Sequence, residues 1–277
     1  MNNIAVLLTC FNRKQITLRC LNHFFQLRND IDVFLVDDNS SDGTYSAIKE
    51  HFPQVNIIKG KGDLFWCRGM NIAWKHASEK NKYDFFLWLN DDVILYKDAF
   101  EEILKCSEIK EHKAIVSGVI ENHDKNKIIY GGFDENKNII IPKGIMKSIT
   151  FLNGNFVLIP RFVFEKIGFM DKVFHHDLGD VDYGLRAIKK GIQVMSTTKP
   201  IGSCGVNNIC RVRLNNSTLL KRFKRLYSPL GSNPNINFYY RKQHKGILNA
   251  AVYYLFLIFL NIIPDKLNTV LFKQKYT

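Results

Sequence analysis

The sequence predicts an α/β fold: a doubly wound, mostly parallel sheet flanked by helices, followed by a basic, apolar helical appendage. Strand-like and helix-like stretches alternate through residues 3–120. Two short apolar strands, Val33–Val36 and Tyr83–Leu89, end in paired acids. Positive charge collects behind residue 205.

Ile4–Leu8 opens the alternation and leads to a helix near Lys14–Leu27. Val33–Val36 follows. Ser41 and Asp42 then cap a helix from Thr44 to His51. Val55–Ile58, a helix near Gly69–Ser78, the strand Tyr83–Leu89, a helix Asp98–Ser107 and Ala114–Ile120 continue the rhythm. From Lys127 the texture changes. Ile128–Phe133 and Ile139–Ile141 flank a polar turn and read as a hairpin, and Ile149–Ile159 re-enters the sheet. Pro160 suits the first turn of a helix Arg161–Lys166, and another helix opens near Gly179-Asp180. Beyond Gly191 the pattern loosens into loops, with residues 228–234 a turn-rich connector.

At 277 residues the chain is long enough for one large domain plus an appendage. A 46% hydrophobic composition with seven prolines excludes a disordered chain. The net charge is +13, and from Gly205 onward twelve Lys or Arg face the single acid Asp265. Basic character therefore belongs to the tail. Six cysteines show no CxxC pair and no zinc spacing, and Met1-Asn2-Asn3 has no basic leader; a cytosolic location is expected. Leu248–Ile263 is apolar over 16 residues, short of the roughly 20 that span a bilayer. Flanked by Arg241-Lys242-Gln243-His244-Lys245 and Lys266, it suits the headgroup region of an anionic leaflet. A helix packed on the α/β body or in a homo-oligomer is the rival reading. No nucleic-acid-binding signature accompanies the charge, so no nucleic-acid partner is expected.

In open α/β sheets, ligands sit at the carboxyl ends of the strands. Paired acids there can hold a divalent cation together with phosphate oxygens, whereas a plain helix-capping turn is the competing account. Asp91-Asp92 follows one strand, Asp37-Asp38 another, and Thr9-Cys10-Phe11-Asn12-Arg13 the first. Gly179-Asp180-Val181-Asp182 opens a helix downstream.

Together with Arg68-Gly69-Met70-Asn71 and Leu152-Asn153-Gly154-Asn155, these pieces resemble glycosyltransferase family 2 in order and rough spacing, over about residues 3–205. The resemblance implies the GT-A fold and inverting transfer of a sugar from a nucleotide-sugar donor to an acceptor hydroxyl. It implies a catalytic domain over 1–205, with a nucleotide-binding part about 1–120 and an acceptor part about 121–205, and an extension over 206–277. It assigns Asp92 to a divalent cation, Mn or Mg, with Asn90 and Asp91 supporting ribose or metal. Thr9, Phe11, Asn12 and Arg13, with Asp37 or Asp38, map to base and ribose. A carboxylate accepts the imide N–H of uracil or thymine, which favours a UDP or dTDP sugar. Arg68 and Asn71 are expected near the diphosphate or sugar, and Asn153, Gly154 and Asn155 in the sugar or acceptor pocket.

Asp180 takes the place of the general base, at a helix N-terminus that favours a carboxylate anion. The family commonly has Glu where Gly179 stands, so Asp182, Asp177 or His176 is expected to supply the second polar contact. It also more often has Asp where Asn90 stands. His175-His176 reads as a metal ligand or a surface pair. The expected setting is cell-surface polysaccharide assembly on a lipid-linked acceptor, at the inner face of the membrane. Two alternatives stand beside this. A degenerate membrane-docking scaffold is left open by Gly179 and Asn90. A nucleotidyltransferase needs a glycine-rich loop that residues 9–13 lack, just as no GxGxxG supports an NAD enzyme.

Overall fold

Alternation of side chains explains how one sheet acquires two cores. Along the first strand, β1 (Ile4–Cys10), Val6 and Leu8 face one side while Ala5 and Leu7 face the other. The same split recurs in β2 (Asp32–Asp37) and β4 (Phe85–Leu89), where Phe86 and Trp88 oppose Leu87 and Leu89. Both faces are covered by helices, hence the continuous apolar runs. The computed structural model describes residues 3–205 and 212–273; Cys210 lies outside them.

Chain order is β1, α1 (Lys14–Leu27), β2, α2 (Thr44–His51), β3 (Asn56–Lys59), α3 (Phe65–Lys80), β4, β5 (Ile94–Leu95) and α4 (Ala99–Ile109). Then come β6 (Ile115–Asn122), β7 (Ile128–Tyr130), β8 (Phe156–Pro160), α5 (Arg161–Ile167), α6 (Gly179–Lys189) and β9 (Val194–Cys204). The strands lie in the order β3-β2-β1-β4-β8-β6-β9-β5, with β7 on β6. From β3 to β4 the sheet is parallel. Beyond β4 it is mixed, because β8 returns antiparallel to both β4 and β6. The expectation of a mostly parallel sheet thus holds for the first half.

Two local expectations change. The segment after Gly191 is no loop: β9 pairs in parallel with β6 over a long stretch. Its polar residues obscure the strand in sequence but have partners. Glu102 accepts from the Thr198 amide at 2.8 Å and its hydroxyl at 2.6 Å, and the Val119 amide donates to Thr197 Oγ1 at 3.0 Å. Pro200, which has no N–H, sits where the β6–β9 register shifts. The expected hairpin also divides: β7 pairs with β6, and Phe133 bridges both Ile139 and Phe151.

One core centres on Trp74, whose ring lies 5.7 Å from Trp88, 5.4 Å from Phe86 and 5.5 Å from Tyr183. Close approach of α3 to β1 depends on Gly69. A Cβ there would meet Thr9 Oγ1 at 2.3 Å and Thr9 Cβ at 2.9 Å. Gly69→Ala is therefore expected to cost about 1–3 kcal/mol in denaturant unfolding. Adding Thr9→Ala removes the hydroxyl contact but keeps the Thr9 Cβ, so it should recover part of that loss; a double variant no more stable than Gly69→Ala would contradict this packing.

The fold divides into two compact units, Met1–Lys172 with Gly179–Val206, and Val173–Leu178 with Asn207–Thr277. The second contains α7 (Leu219–Leu226), α8 (Pro234–Lys245), α9 (Ile247–Ile262) and α10 (Asp265–Phe272). Among the described residues, no helix is long and apolar enough to cross a membrane.

Candidate active site

Parallel pairing carries the polar ends of β1, β2 and β4 to one edge of the sheet. Because β8 runs antiparallel to β4, with Leu89 opposite Phe156, the start of β8 arrives at that same edge. The Asn90 amide donates to the Asn155 carbonyl at 2.9 Å and closes the junction.

Arg13 holds both acids of the central strand end. Its Nη1 lies 2.9 Å from Asp91 Oδ1 and its Nη2 2.9 Å from Asp92 Oδ2. Asp91 is buried and also accepts from Thr17 Oγ1 at 3.0 Å. Burial pushes its carboxyl up to about 6, against the pull of Arg13 and with the push of neighbouring Asp92. Asp92 Oδ1 is buried and has no hydrogen-bond partner among the described residues. One available carboxylate oxygen fits a divalent cation whose other ligands are phosphate oxygens and water. It does not fit a metal caged by protein alone, and no three His, Cys, Asp or Glu gather for one among the described residues.

A second string of contacts runs from Asn90 to Asp180. Trp66 Nε1 donates to Asn90 Oδ1 at 2.7 Å. The indole also fills the space over Gly154, where a Cβ would lie 2.4 Å from the ring and 3.3 Å from Asp180 Cβ. The Gly154 amide donates to Asp180 Oδ2 at 2.9 Å, and the Val181 amide to Asp180 Oδ1 at 2.8 Å. Asp180 is thus fixed at the start of α6, beside Gly154 and Trp66. Trp66 is the member that sequence reasoning missed; its signal is a tryptophan two residues ahead of Arg68-Gly69. Gly154→Ala must displace the indole, Asp180 or both. Activity is expected to fall about 100-fold, since displacements near 1 Å cost that much, and steady-state kinetics would show it. An alanine variant with full turnover would mean that this spacing is immaterial.

The other expected residues divide between the cleft edge and the framework. Phe11 is half exposed at the end of β1. Asn12, at φ +50°, ties two strand ends together: its amide donates to Ser40 Oγ at 2.9 Å and its Oδ1 accepts from the Ser41 amide at 2.8 Å. Asp42 works similarly, accepting from the Lys14 and Thr44 amides at 3.0 Å each. Despite desolvation, the hydrogen bonds from Thr44 and Lys14 hold its carboxyl below the ordinary value. Asp37 is buried; its Oδ1 accepts from the Ser40 amide and hydroxyl and from the Cys10 thiol, while among the described residues no hydrogen bond reaches Oδ2.

Several residues expected at the ligand have structural partners instead. Asp38 is buried, its oxygens accepting from the amides of Gly62, Leu64 and Phe65 at 2.7, 2.9 and 3.2 Å. It shapes the entry to α3. Asn71 is buried and donates to the Met170 carbonyl at 3.0 Å, while Arg68 donates to that of Lys172 at 3.1 Å. Both therefore grip residues 170–172. Thr9 packs on Gly69 with its hydroxyl buried. Asp182 is wholly buried and pairs with Arg186 at 2.8 Å, which in turn reaches the carbonyls of Ile167 and Phe169. That places Asp182 in the framework of α6, away from the role of a second contact for the acceptor. Asn153 keeps a buried Oδ1 without a hydrogen bond, and Asn155 is buried beside Asn90. His176 and Asp177 fall in the second unit.

No curated protein matches the chain. Among solved structures, S. aureus TarS is 13% identical with a TM-score of 0.54, over 74% of this chain and 37% of that one. S. aureus TarS 1-349 in complex with UDP-GlcNAc gives 11% and 0.56, over 93% and 72%. The mannosyltransferase PcManGT from Pyrobaculum calidifontis, in complex with GDP-Man and Mn2+, gives 17% and 0.58, over 91% and 70%. The chain thus spans little more than a third of the length of TarS, and at these identities the likeness is one of fold, the GT-A fold of glycosyltransferases. The profile of Glycosyl transferase family 2 matches residues 5–168. With the family model matching more than half of its length, this chain is a member of glycosyl transferase family 2.

Proposed function

We propose that the protein is an inverting glycosyltransferase that moves one sugar from a nucleotide-sugar donor to an acceptor hydroxyl. The observation that carries this is the string of contacts Asn90–Trp66–Gly154–Asp180 at the carboxyl ends of the strands, with Asp92 two residues beyond Asn90. It sets an oxygen suited to a phosphate-bound cation at one end and a carboxylate suited to proton removal at the other. Asp180 takes the proton as the acceptor oxygen bonds to the anomeric carbon, and the bond from that carbon to the donor phosphate breaks on the opposite face. A divalent cation, Mn or Mg, bound through Asp92 would neutralise the departing phosphate. Arg13 keeps Asp92 oriented. Phe11 offers an exposed ring beside the base, and Asp37 Oδ2 is the carboxylate oxygen left to accept a uracil or thymine imide N–H, which favours a UDP or dTDP donor.

The reading extends to cell-surface polysaccharide assembly on a lipid-linked acceptor, with the protein peripheral on the inner face of the cell membrane. That part is supported by the basic, apolar tail. Residues 1–205 would then be the catalytic domain and 206–277 its docking extension. The test is nucleotide release from a panel of UDP-, dTDP- and GDP-sugars, with and without Mn2+. Metal-dependent turnover or donor binding is expected, strongest with uracil or thymine nucleotides. Neither turnover nor donor binding would leave the non-catalytic scaffold in its place.

A further inference from the structure

Helix α9 carries apolar side chains on two faces. Ala250, Leu257 and Leu260 are buried within the C-terminal unit. Leu248, Val252, Leu255, Phe259 and Ile262 recur at spacings of three and four and are between 46% and 77% exposed. Such a stripe runs about 21 Å along the helix. Helix α10 adds exposed Leu267, Val270 and Leu271. Beside the stripe, Phe238, Ala251, Tyr254 and Leu255 line an apolar hollow of about 460 Å³ between α8 and α9. Apolar surface of this extent is unusual on a protein that has no partner for it.

Charge decides what covers it. Asp265, the one acid from Gly205 onward, is engaged by Arg213 and Arg222. Lys221, Lys224, Lys242, Lys266 and Lys273 are exposed, and none of these five forms an ion pair among the described residues. A second copy would bring two such sets of cations together, which opposes association. An anionic surface would neutralise them while the stripe leaves water.

We infer that the α9–α10 face seats on an anionic lipid bilayer, its apolar stripe among the headgroups and its lysines on the lipid phosphates. Seating of this kind rests on the membrane placement proposed above and is independent of the transfer chemistry. Flotation of the full chain with phosphatidylglycerol–phosphatidylcholine vesicles, against phosphatidylcholine alone, tests it. The wild type is expected to float with the anionic vesicles only. Val252→Glu/Leu255→Glu, at exposed positions, should lower partitioning at least about tenfold with unchanged far-UV circular dichroism, because insertion depends on buried apolar area. Leu255→Phe should retain it. Failure to float with anionic vesicles, or flotation undiminished by the two glutamates, overturns the inference. So does a dimer, seen by light scattering, that the same glutamates split. Wild type that floats but turns over no nucleotide sugar would sink the transferase reading and leave the seating intact.

Discussion

Asp180→Asn is expected to abolish sugar transfer, lowering kcat by about a thousandfold or more, while the protein stays folded. Asparagine caps a helix about as well as aspartate, so a purely structural Asp180 would tolerate the change. The asparagine carbonyl can still accept one of the two amides, Gly154 or Val181, that Asp180 now serves. The other amide would face an NH2 group, at a cost of about 1 kcal/mol. That loss is small beside the loss of the proton acceptor. Single-turnover kinetics and thermal unfolding on the same preparation separate the two effects. An active, stable Asp180→Asn enzyme would remove the general-base role.

Asp265→Ala is expected to destabilise the C-terminal helices by about 3 kcal/mol, because it strands two buried cations. Asp265 Oδ1 lies 2.5 Å from Arg213 Nη2 and 2.7 Å from Arg222 Nη2, and Oδ2 accepts from the Asn216 amide at 3.1 Å. Both guanidiniums continue to the Ile263 carbonyl at the end of α9, at 2.9 and 3.0 Å. One carboxylate therefore joins the end of α9 to the start of α10. The Arg213 hydrogen bond holds Asp265 below its ordinary value, against the desolvation that opposes it. A carboxyl lowered in the folded state contributes stability above its unfolded value, near pH 4. That contribution disappears as pH falls through the folded value. Thermal unfolding of wild type and Asp265→Ala should therefore differ at pH 7, and the difference should start to shrink near pH 4 and close only below the lowered folded value. Equal unfolding temperatures at pH 7 would show that this junction does not support the helices.

Much of the first half was legible because its signals are local. Lys14–Leu27 and Thr44–His51 form as read, from apolar spacing and from Asp42 ahead of Thr44. Strand β9 was hidden because Ser196, Thr197 and Thr198 interrupt its apolar pattern, and their partners lie far along the chain. At the site, the strand ends themselves were plain. Which of two adjacent acids turns inward was not: Asp38 serves the loop before α3 while Asp37 keeps an oxygen unengaged. Arg13 reaches Asp91 and Asp92 across tertiary space, which no sequence spacing encodes. Asp182 and Arg186, by contrast, stand four apart on one helix, where pairing is the ordinary geometry.

The antiparallel ladder between β4 and β8 also governs how the gene can tolerate added codons. Trp88 opposite Val157 and Leu89 opposite Phe156 fix which way each neighbour points. An extra amino acid at the head of β8 would turn its following side chains to the other face of the sheet, and the pocket wall would be lost with them. The same addition at the polar turn 134–138, whose residues are exposed or nearly so, should pass almost unnoticed.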